Sequence, residues 1–264
     1  MNIRSLLISG LLLLGYSLCA QNFNEYQKEI FGNGKHRLPY RILYPLNFDT
    51  AKKYPLLIFL HGAYEKGNDN EIQLNIGGRY FLLDSNRKKF QAIVVFPQCP
   101  TDDSWAYFET ELDSSTGLAK KWNFPFPKKP TEITSLVKRL LDSLTALSFV
   151  DKSKLYIGGL SQGGMGVYDF IARYPDMFAA AFPICGAGKI STASKFAHQT
   201  ALWIFHGKDD DIVPPSFSQQ FYKKLKKLGA DVMYSEYSGV KHNSWVNAFG
   251  EPGLLPWLFS KSKR

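Results

Sequence analysis

The segment YIGGLSQGGMGVYDFIARYP, residues 156–175, carries the strongest indication of the fold. It begins as a short apolar run, passes through glycines, and continues with apolar residues at helical spacing. Ser161 therefore falls on a tight turn between a predicted strand and a predicted helix, in a G-x-S-x-G motif with Gly159 and Gly163. Such a turn exposes the hydroxyl, and the helix directs its first N–H groups at the same point. The motif predicts a serine nucleophile; the alternative is a glycine-rich loop whose serine only caps the helix.

Apolar runs alternate with helical patterns through most of the chain. The runs at 54–62, 91–98 and 201–207 are apolar on every side, which is typical of parallel strands covered on both faces. Helical spacing follows Thr131, a candidate N-cap, and recurs at 214–229. The alternation predicts an α/β fold with a mostly parallel central sheet and helices on both faces. The active site of such a sheet lies at the carboxyl ends of its strands.

The length and composition suit one globular domain. The chain has 264 residues, 45% of them hydrophobic and 21% charged, so it can bury a substantial core. Its formal net charge of +9 is carried largely by short lysine groups such as those at 223–227. Arginines interleaved with aromatics and nucleic-acid motifs are both absent from the sequence, so we interpret the charge as a solvated basic surface rather than a nucleic-acid interface.

The first 20 residues have the pattern of a secretory signal peptide. Arg4 precedes an apolar run that is short for a spanning helix, and small residues follow near Ala20. We expect cleavage after Ala20, a mature domain of residues 21–264, and a periplasmic or secreted protein without stable membrane insertion. Cys19 can instead be a lipoprotein cysteine, although Leu18 is bulky for that role. Of the other cysteines, Cys99 and Cys185 follow different strand-like runs, so we expect free thiols, and the cysteine and histidine spacing suggests no metal site.

A serine nucleophile needs a base and an acid. In a fold of this type the order along the chain is serine, acid, histidine, which leaves His242 as the base among five histidines. The acid is expected after the strand at 201–207, where Asp209, Asp210 and Asp211 follow one another. A carboxylate there would hold the imidazole tautomer and stabilise the imidazolium, and spacing alone does not choose among the three.

Acyl transfer also needs donors for an oxyanion. The N–H of Gln162, directly after the nucleophile, is one candidate, and the N–H of Ala63, after the run ending His61-Gly62, is the second. We interpret His61 as a structural histidine beneath this loop.

Several segments together resemble one family, the secreted single-domain α/β-hydrolase esterases. That group joins the phospholipase/carboxylesterase type to the feruloyl-esterase-like, polyhydroxybutyrate-depolymerase-like type. The resemblance covers roughly residues 35–250 and rests on five segments in order: FLHGAYEKGNDN (59–70), FPQCP (96–100), the stretch 159–186, WIFHGKDDDIVP (203–214) and YSGVKHNSW (237–245).

The resemblance implies an α/β-hydrolase fold and hydrolysis of carboxylic esters without cofactor or metal. The family pattern H-G-x-x-D-x-x-V-P, counted from His206, assigns the acid to Asp210. One departure is Tyr64, where relatives often carry a small residue; a tyrosine there can narrow the pocket or stack on an aromatic substrate. The substrate expected is a small-molecule or polysaccharide-linked ester, and acetylated xylan, feruloylated arabinoxylan, short aliphatic esters and lipids all stay open. The predicted signal peptide and the loop aromatics favour acyl or feruloyl esters of plant polysaccharide.

Tryptophans on loops near the predicted carboxyl ends of strands are further candidates for substrate contact. Trp105, Trp122 and Trp245 can stack on a sugar or a phenolic acid, or can simply pack in the core.

Two other functions fit the same fold. A peptidase of the prolyl-oligopeptidase type uses the same triad but usually carries a propeller, and the sequence has no blade repeats. A non-catalytic carbohydrate- or lipid-binding protein can share the fold, since fold does not fix function. A serine-directed phosphonate separates enzyme from binder, because only an activated serine reacts.

Overall fold

Strands and helices alternate along residues 23–34, 36–117 and 119–263, which the computed structural model describes. The predicted signal peptide, with Cys19, lies outside the described residues. The strands are β1 (Gln27–Asn33), β2 (His36–Leu43), β3 (Tyr54–Leu60), β4 (Ile93–Pro97), β5 (Glu109–Leu112), β6 (Ala119–Asn123), β7 (Val150–Leu160), β8 (Ala180–Ile184), β9 (Ala201–Gly207) and β10 (Val232–Tyr237). The α-helices are α1 (Gly78–Leu82), α2 (Asp84–Lys89), α3 (Glu132–Thr145), α4 (Gln162–Arg173), α5 (Ser216–Lys227), α6 (Trp245–Gly250) and α7 (Leu254–Phe259).

Eight of the strands form one twisted sheet in the order β1-β2-β4-β3-β7-β8-β9-β10. Strand β2 is antiparallel to both of its neighbours, and along the remaining order β4-β3-β7-β8-β9-β10 each strand is parallel to the next. This is the mostly parallel sheet that the apolar runs predict, and the fold is that of an α/β-hydrolase.

Side chains of the sheet alternate between two buried faces, as the pleat of a strand requires. In β3, Leu56 and Ile58 belong to the core beneath α3, α4 and α5. Leu57 and Phe59 belong to the core beneath α1, α6 and α7. Helices therefore cover both faces, which explains why the central strands are apolar on every side.

The N-terminus of α3 follows the capping rule. The Oγ1 atom of Thr131 accepts a hydrogen bond from the N–H of Thr134 at 3.3 Å, so Thr131 caps the helix as its position predicts. The segment 104–130, expected to be irregular, instead contains a two-stranded antiparallel sheet of β5 and β6. Its strand residues are largely exposed and polar, so the apolar pattern used for the central strands gives no signal there.

The parallel strands bring four loops to one edge of the sheet. The loops after β3, β7, β9 and β10 begin beyond Leu60, Leu160, Gly207 and Tyr237, at the carboxyl ends of parallel strands in the order β3-β7-β8-β9-β10. These loops carry all the residues proposed from the sequence for catalysis. Within the described residues, we find no helix with both the length and the apolar character needed to cross a bilayer.

Candidate active site

Ser161 adopts a backbone conformation that residues with a side chain rarely take. Its φ is 53° and its ψ is −117°, and it lies between β7 and the first residue of α4. Its N–H donates to the carbonyl of Ile184 at 2.8 Å, and its carbonyl accepts from the N–H of Met165 at 3.0 Å. A non-glycine residue at positive φ costs about 1–3 kcal/mol, so the surrounding contacts must hold the turn. The result is a partly exposed serine at the tip of a fixed turn.

The glycines on either side of Ser161 are required by close backbone approach. A Cβ atom at Gly159 would lie 2.5 Å from the carbonyl oxygen of Gly163. A Cβ atom at Gly163 would lie 2.0 Å from the carbonyl oxygen of Leu60, at the end of β3. The turn can therefore pack against β3 only because both positions lack a side chain.

The Gly163→Ala variant should be less stable than the wild type by about 3 kcal/mol or more, because its methyl group would overlap backbone rather than a movable side chain. Gly250 is the matched control, since a Cβ atom there would meet nothing within 4 Å. Gly250→Ala should change the free energy of unfolding by less than about 1 kcal/mol. Urea denaturation measures both. Equal stability of Gly163→Ala and the wild type would contradict the close approach.

A chain of hydrogen bonds links three side chains from different loops. The Nε2 atom of His242 lies 2.9 Å from Oγ of Ser161, and its Nδ1 atom lies 2.8 Å from Oδ2 of Asp210. Because Nδ1 faces a carboxylate, we infer that it carries the proton, which leaves Nε2 free to accept the serine proton. The imidazole is thus oriented to act as a base toward the hydroxyl.

Asp210 is held in place by four donors. Its Oδ1 atom accepts hydrogen bonds from the N–H groups of Ile212 and Val213, each at 2.9 Å. Its Oδ2 atom faces Nδ1 of His242 at 2.8 Å and Nε2 of His206 at 3.1 Å. Burial alone would raise the pKa of this carboxyl, but the hydrogen bonds from both histidines and the loop hold its pKa well below the usual range. The carboxylate therefore stays ionised beside the imidazole.

The neighbouring aspartates point elsewhere. Asp209 is exposed and accepts a hydrogen bond from the N–H of Gly239 at 2.8 Å. Asp211 is exposed and forms an ion pair with Lys241 at 2.7 Å. Of the three consecutive carboxylates that the sequence leaves open, Asp210 is the one that contacts His242.

The two candidate oxyanion donors lie on the loops that meet at Ser161. Ala63 begins a short 3-10 turn after β3, and Gln162 is the first residue of α4. A Cβ atom at Gly62 would lie 3.8 Å from Cβ of Ser161, so this loop passes beside the serine. The N–H groups of a first helical turn have no acceptor within their own helix, which leaves that of Gln162 available to a substrate. Their role as oxyanion donors stays a prediction.

His61 and Trp105 form a buried support beneath the loop that contains Ala63. His61 accepts a hydrogen bond from the N–H of Cys99 at 3.0 Å through Nε2, and its Nδ1 lies 2.6 Å from the carbonyl of Gly62. Burial lowers the pKa of His61 to about 4, so the ring is neutral. Trp105 is 0% exposed and donates from Nε1 to the carbonyl of His61 at 3.0 Å. The prediction that Trp105 contacts substrate is therefore wrong, because its ring lies within the core.

The other predicted aromatic contacts lie in different surroundings. Tyr64 is 96% exposed, directly after Ala63, and its ring is open to a partner. Trp245 is half-buried, and its ring meets that of His242 edge-on at a centroid distance of 5.8 Å. Trp122, in β6, stacks on Phe124 at 5.8 Å. Contact of Tyr64 and Trp245 with substrate stays a prediction.

Among the described residues, one group of three potential metal ligands occurs, and it overlaps this site. Ligand atoms of Cys185, Asp210 and His242 lie within 4.8 Å of one another. The carboxylate and the imidazole are already hydrogen-bonded to each other, and burial raises the pKa of the Cys185 thiol to about 12. A protonated thiol is a poor metal ligand, so we interpret the cysteine as a packing neighbour of the acid.

Sequence reasoning missed two features next to the site. His206 contacts the same carboxylate oxygen of Asp210 as His242 does, and the family pattern that counts from His206 was the only available signal. The β5–β6 hairpin contributes Trp122, which packs with Phe217 of α5 near Met165 and Val213. That cluster depends on contacts between distant segments, which no local pattern reveals.

The chain matches one protein family and is similar to several known proteins. The profile of the phospholipase/carboxylesterase family matches residues 48–251. A bifunctional acetylxylan esterase/xylanase of Neocallimastix patriciarum is 23% identical over 206 residues, which are 78% of this chain and 26% of that protein. The chain spans 26% and 22% of the length of the two curated relatives with which it aligns over most of its own length.

Two solved structures agree with the fold. The crystal structure of a thermostable esterase is 31% identical with a TM-score of 0.78, and the alignment covers 91% of this chain and 64% of that one. A ferulic acid esterase is 17% identical with a TM-score of 0.63, covering 88% of this chain and 97% of that one. At that identity, the second comparison supports the fold alone.

Proposed function

The chain belongs to the phospholipase/carboxylesterase family, and from this membership we propose that it is a serine hydrolase of carboxylic esters. The observation that carries the proposal is the hydrogen-bond chain from Oγ of Ser161 through His242 to Asp210, with distances of 2.9 and 2.8 Å. A hydroxyl, an imidazole and a carboxylate in this order form a nucleophile, its base and the residue that orients the base.

In the proposed reaction Ser161 attacks the ester carbonyl while Nε2 of His242 takes the hydroxyl proton. The buried carboxylate of Asp210 stabilises the imidazolium that forms. His242 then donates the proton to the leaving alcohol, which departs and leaves an acyl group on Ser161. Water deprotonated by the same imidazole hydrolyses the acyl-enzyme and restores the serine. Every proton in this cycle moves through one nitrogen, and the chain's own residues and water suffice.

The negative charge of the tetrahedral intermediate would be stabilised by the N–H groups of Ala63 and Gln162. The loop of Ala63 passes beside Ser161, and the N–H of Gln162 opens a helix whose dipole favours negative charge. The loss of one such donor typically raises the barrier by about 3 kcal/mol. The positive φ of Ser161 supports a functional role for the turn that carries Ser161 and Gln162, since backbone strain of this kind is concentrated at functional sites.

We propose that the substrates are acyl or feruloyl esters of plant polysaccharide or related small esters. The acetylxylan esterase relative and the exposed ring of Tyr64 support this class. A panel of nitrophenyl esters of increasing chain length, methyl ferulate and acetylated xylan tests it through kcat/KM. Highest values for ferulate or xylan acetate are expected. Highest values for long-chain esters would overturn the substrate class while leaving the esterase assignment intact.

The Tyr64→Ala variant should lose affinity for aromatic substrates without losing stability. A ring 96% exposed contributes little to the core, whereas stacking on a ferulate ring is worth roughly 2- to 10-fold in kcat/KM. The loss is expected with methyl ferulate and not with ethyl acetate, which has no aromatic ring, at equal melting temperature. Tyr64→Phe is the matched control, because it keeps the ring and should keep the activity. Unchanged ferulate kinetics in Tyr64→Ala would exclude Tyr64 as a stacking residue.

We further propose that residues 21–264 form one domain and that the protein is exported to the periplasm or the medium. Support for one domain comes from the single eight-stranded sheet that carries both core layers. Export rests on the sequence of residues 1–20, and N-terminal sequencing of the mature protein tests it. A mature chain that begins at Gln21 is expected, and one that begins at a lipidated Cys19 would replace cleavage after Ala20 with membrane anchoring.

A further inference from the structure

A second histidine touches the proposed catalytic acid from within the core. His206 lies near the end of β9 and is fully buried. Its Nε2 atom lies 3.1 Å from Oδ2 of Asp210 and 2.9 Å from the carbonyl oxygen of Val213. The same Oδ2 atom faces Nδ1 of His242 at 2.8 Å. One carboxylate oxygen is therefore shared by two imidazoles.

The protonation of His206 follows from its partners. Nε2 faces a carbonyl oxygen and a carboxylate, both of which only accept hydrogen bonds, so Nε2 must carry a proton. Nδ1 lies 2.7 Å from Oγ of Ser218, a buried residue of α5. In the neutral ring, Nδ1 accepts the hydroxyl proton of Ser218, which fixes the tautomer whose Nε2–H is shared between the carbonyl of Val213 and Oδ2 of Asp210.

We propose that His206, held by Ser218, is a positioning residue that orients the carboxylate of Asp210 toward His242. The inference rests on the proposed catalytic role of Ser161, His242 and Asp210. His206 itself is 0% exposed and is separated from Ser161 by the acid and the base, so it acts through Asp210 and does not touch substrate.

Two anchors at different atoms fix the rotation of the carboxylate. The loop N–H groups of Ile212 and Val213 hold Oδ1, and Nε2 of His206 contacts Oδ2. Without His206, Oδ2 would lose one contact, and the carboxylate could tilt about the Oδ1 contacts, so that it would still face Nδ1 of His242 but would no longer hold the imidazole in line with Ser161. The carbonyl of Val213 would also lose its donor, which loosens the same loop.

Loss of His206 should also change the electrostatic effect of the Asp210 carboxylate on His242. A donor withdrawn from Oδ2 leaves more negative charge facing Nδ1 of His242, which favours the imidazolium. The acid limb of the kcat/KM profile should therefore move to higher pH. Besides Asp210, the carboxylate of Glu236 interacts electrostatically with His206, since Glu236 is paired with His206 in register between β10 and β9. The thiol of Cys185 is the further titratable neighbour of Asp210.

Two substitutions at the same position separate positioning from packing. His206→Met fills the space without a donor, and His206→Gln places an amide donor near the position of Nε2. Per active site, His206→Met should lower kcat about 100-fold, the cost of a small misplacement of catalytic groups, with KM changed little. The acid limb of the kcat/KM profile of His206→Met should move to higher pH. His206→Gln should restore most of kcat and the wild-type limb.

Titration with a serine-directed phosphonate counts active sites, so a poorly folded fraction does not lower the measured kcat. If His206→Met does not fold, Ser218→Ala supplies the test, since it keeps the imidazole and removes the contact that fixes its tautomer. Ser218→Ala should lower kcat per active site and move the acid limb of the kcat/KM profile to higher pH, as His206→Met does. His198→Met is the matched control, because His198 is exposed, and it should behave as the wild type.

The outcomes distinguish this inference from the function on which it rests. Failure of the phosphonate to label Ser161 in the wild type would overturn the proposed function. Normal labelling, with kcat per site and the acid limb unchanged in His206→Met, or in Ser218→Ala where His206→Met does not fold, would overturn the positioning role alone. Loss of kcat and a shifted limb, both reversed by His206→Gln, would support it.

Discussion

The Ser161→Ala variant should hydrolyse esters about 10⁶-fold more slowly than the wild type in kcat, because removal of the proposed nucleophile removes the proposed acyl-enzyme route. What should remain is catalysis by the proposed oxyanion donors and by substrate binding alone. The substrate should still bind, so KM should change far less than kcat. Alanine keeps the backbone of the turn, and the fold should persist by circular dichroism.

Ser194→Ala is the matched control, because Ser194 is an exposed serine in the 3-10 segment Ile190–Lys195. It should retain full activity. Ester hydrolysis that persists in Ser161→Ala at more than a small fraction of the wild-type rate would assign the nucleophile to another residue.

The Asp210→Asn variant should lose about 10⁴-fold in kcat, since an amide facing Nδ1 favours the wrong tautomer of the imidazole. The chain offers its own controls in the two adjacent aspartates. Asp209 and Asp211 contact Gly239 and Lys241 at the surface and should tolerate asparagine within about threefold, as surface substitutions do. Initial rates at substrate saturation for the three single variants measure the difference.

This series tests the one choice that the residues alone left open. Equal losses at positions 209 and 210, or a large loss at 211 alone, would contradict the geometry in which Asp210 is the partner of His242 at 2.8 Å. The pKa of Asp210 lies below its usual range, so the carboxylate should remain ionised across the assay range, and the three variants are compared with the wild type at one pH on the plateau of its profile.

The architecture could be predicted because its determinants are local. The apolar runs of β3, β4 and β9 are buried on both faces, and the apolar residues of each run predict that burial without reference to the others. The turn at Ser161 could likewise be placed, since it lies where a strand pattern changes to a helix pattern within a few residues. Because the carboxyl ends of parallel strands lie at one edge of a sheet, the strand order then predicts which loops meet.

The details that could not be predicted depend on packing between distant segments. Trp105 follows a strand, as a substrate-contacting residue can, yet its Nε1 donates to His61 and its ring is buried. Asp210 differs from Asp209 only by its neighbours in space. The β5–β6 hairpin is exposed and polar, so periodicity gave no indication of it. Each of these features is set by tertiary contacts.

The most direct test of the account is the reaction of the folded protein with a fluorophosphonate, followed by mass spectrometry of the peptides. An activated serine is expected to take up one phosphonyl group per chain, on the peptide that contains Ser161. Labelling should disappear in Ser161→Ala and become slow in His242→Ala, which keeps the hydroxyl but removes its base. Folded wild-type protein that takes up no label, or takes it up at another residue, would contradict the proposed triad.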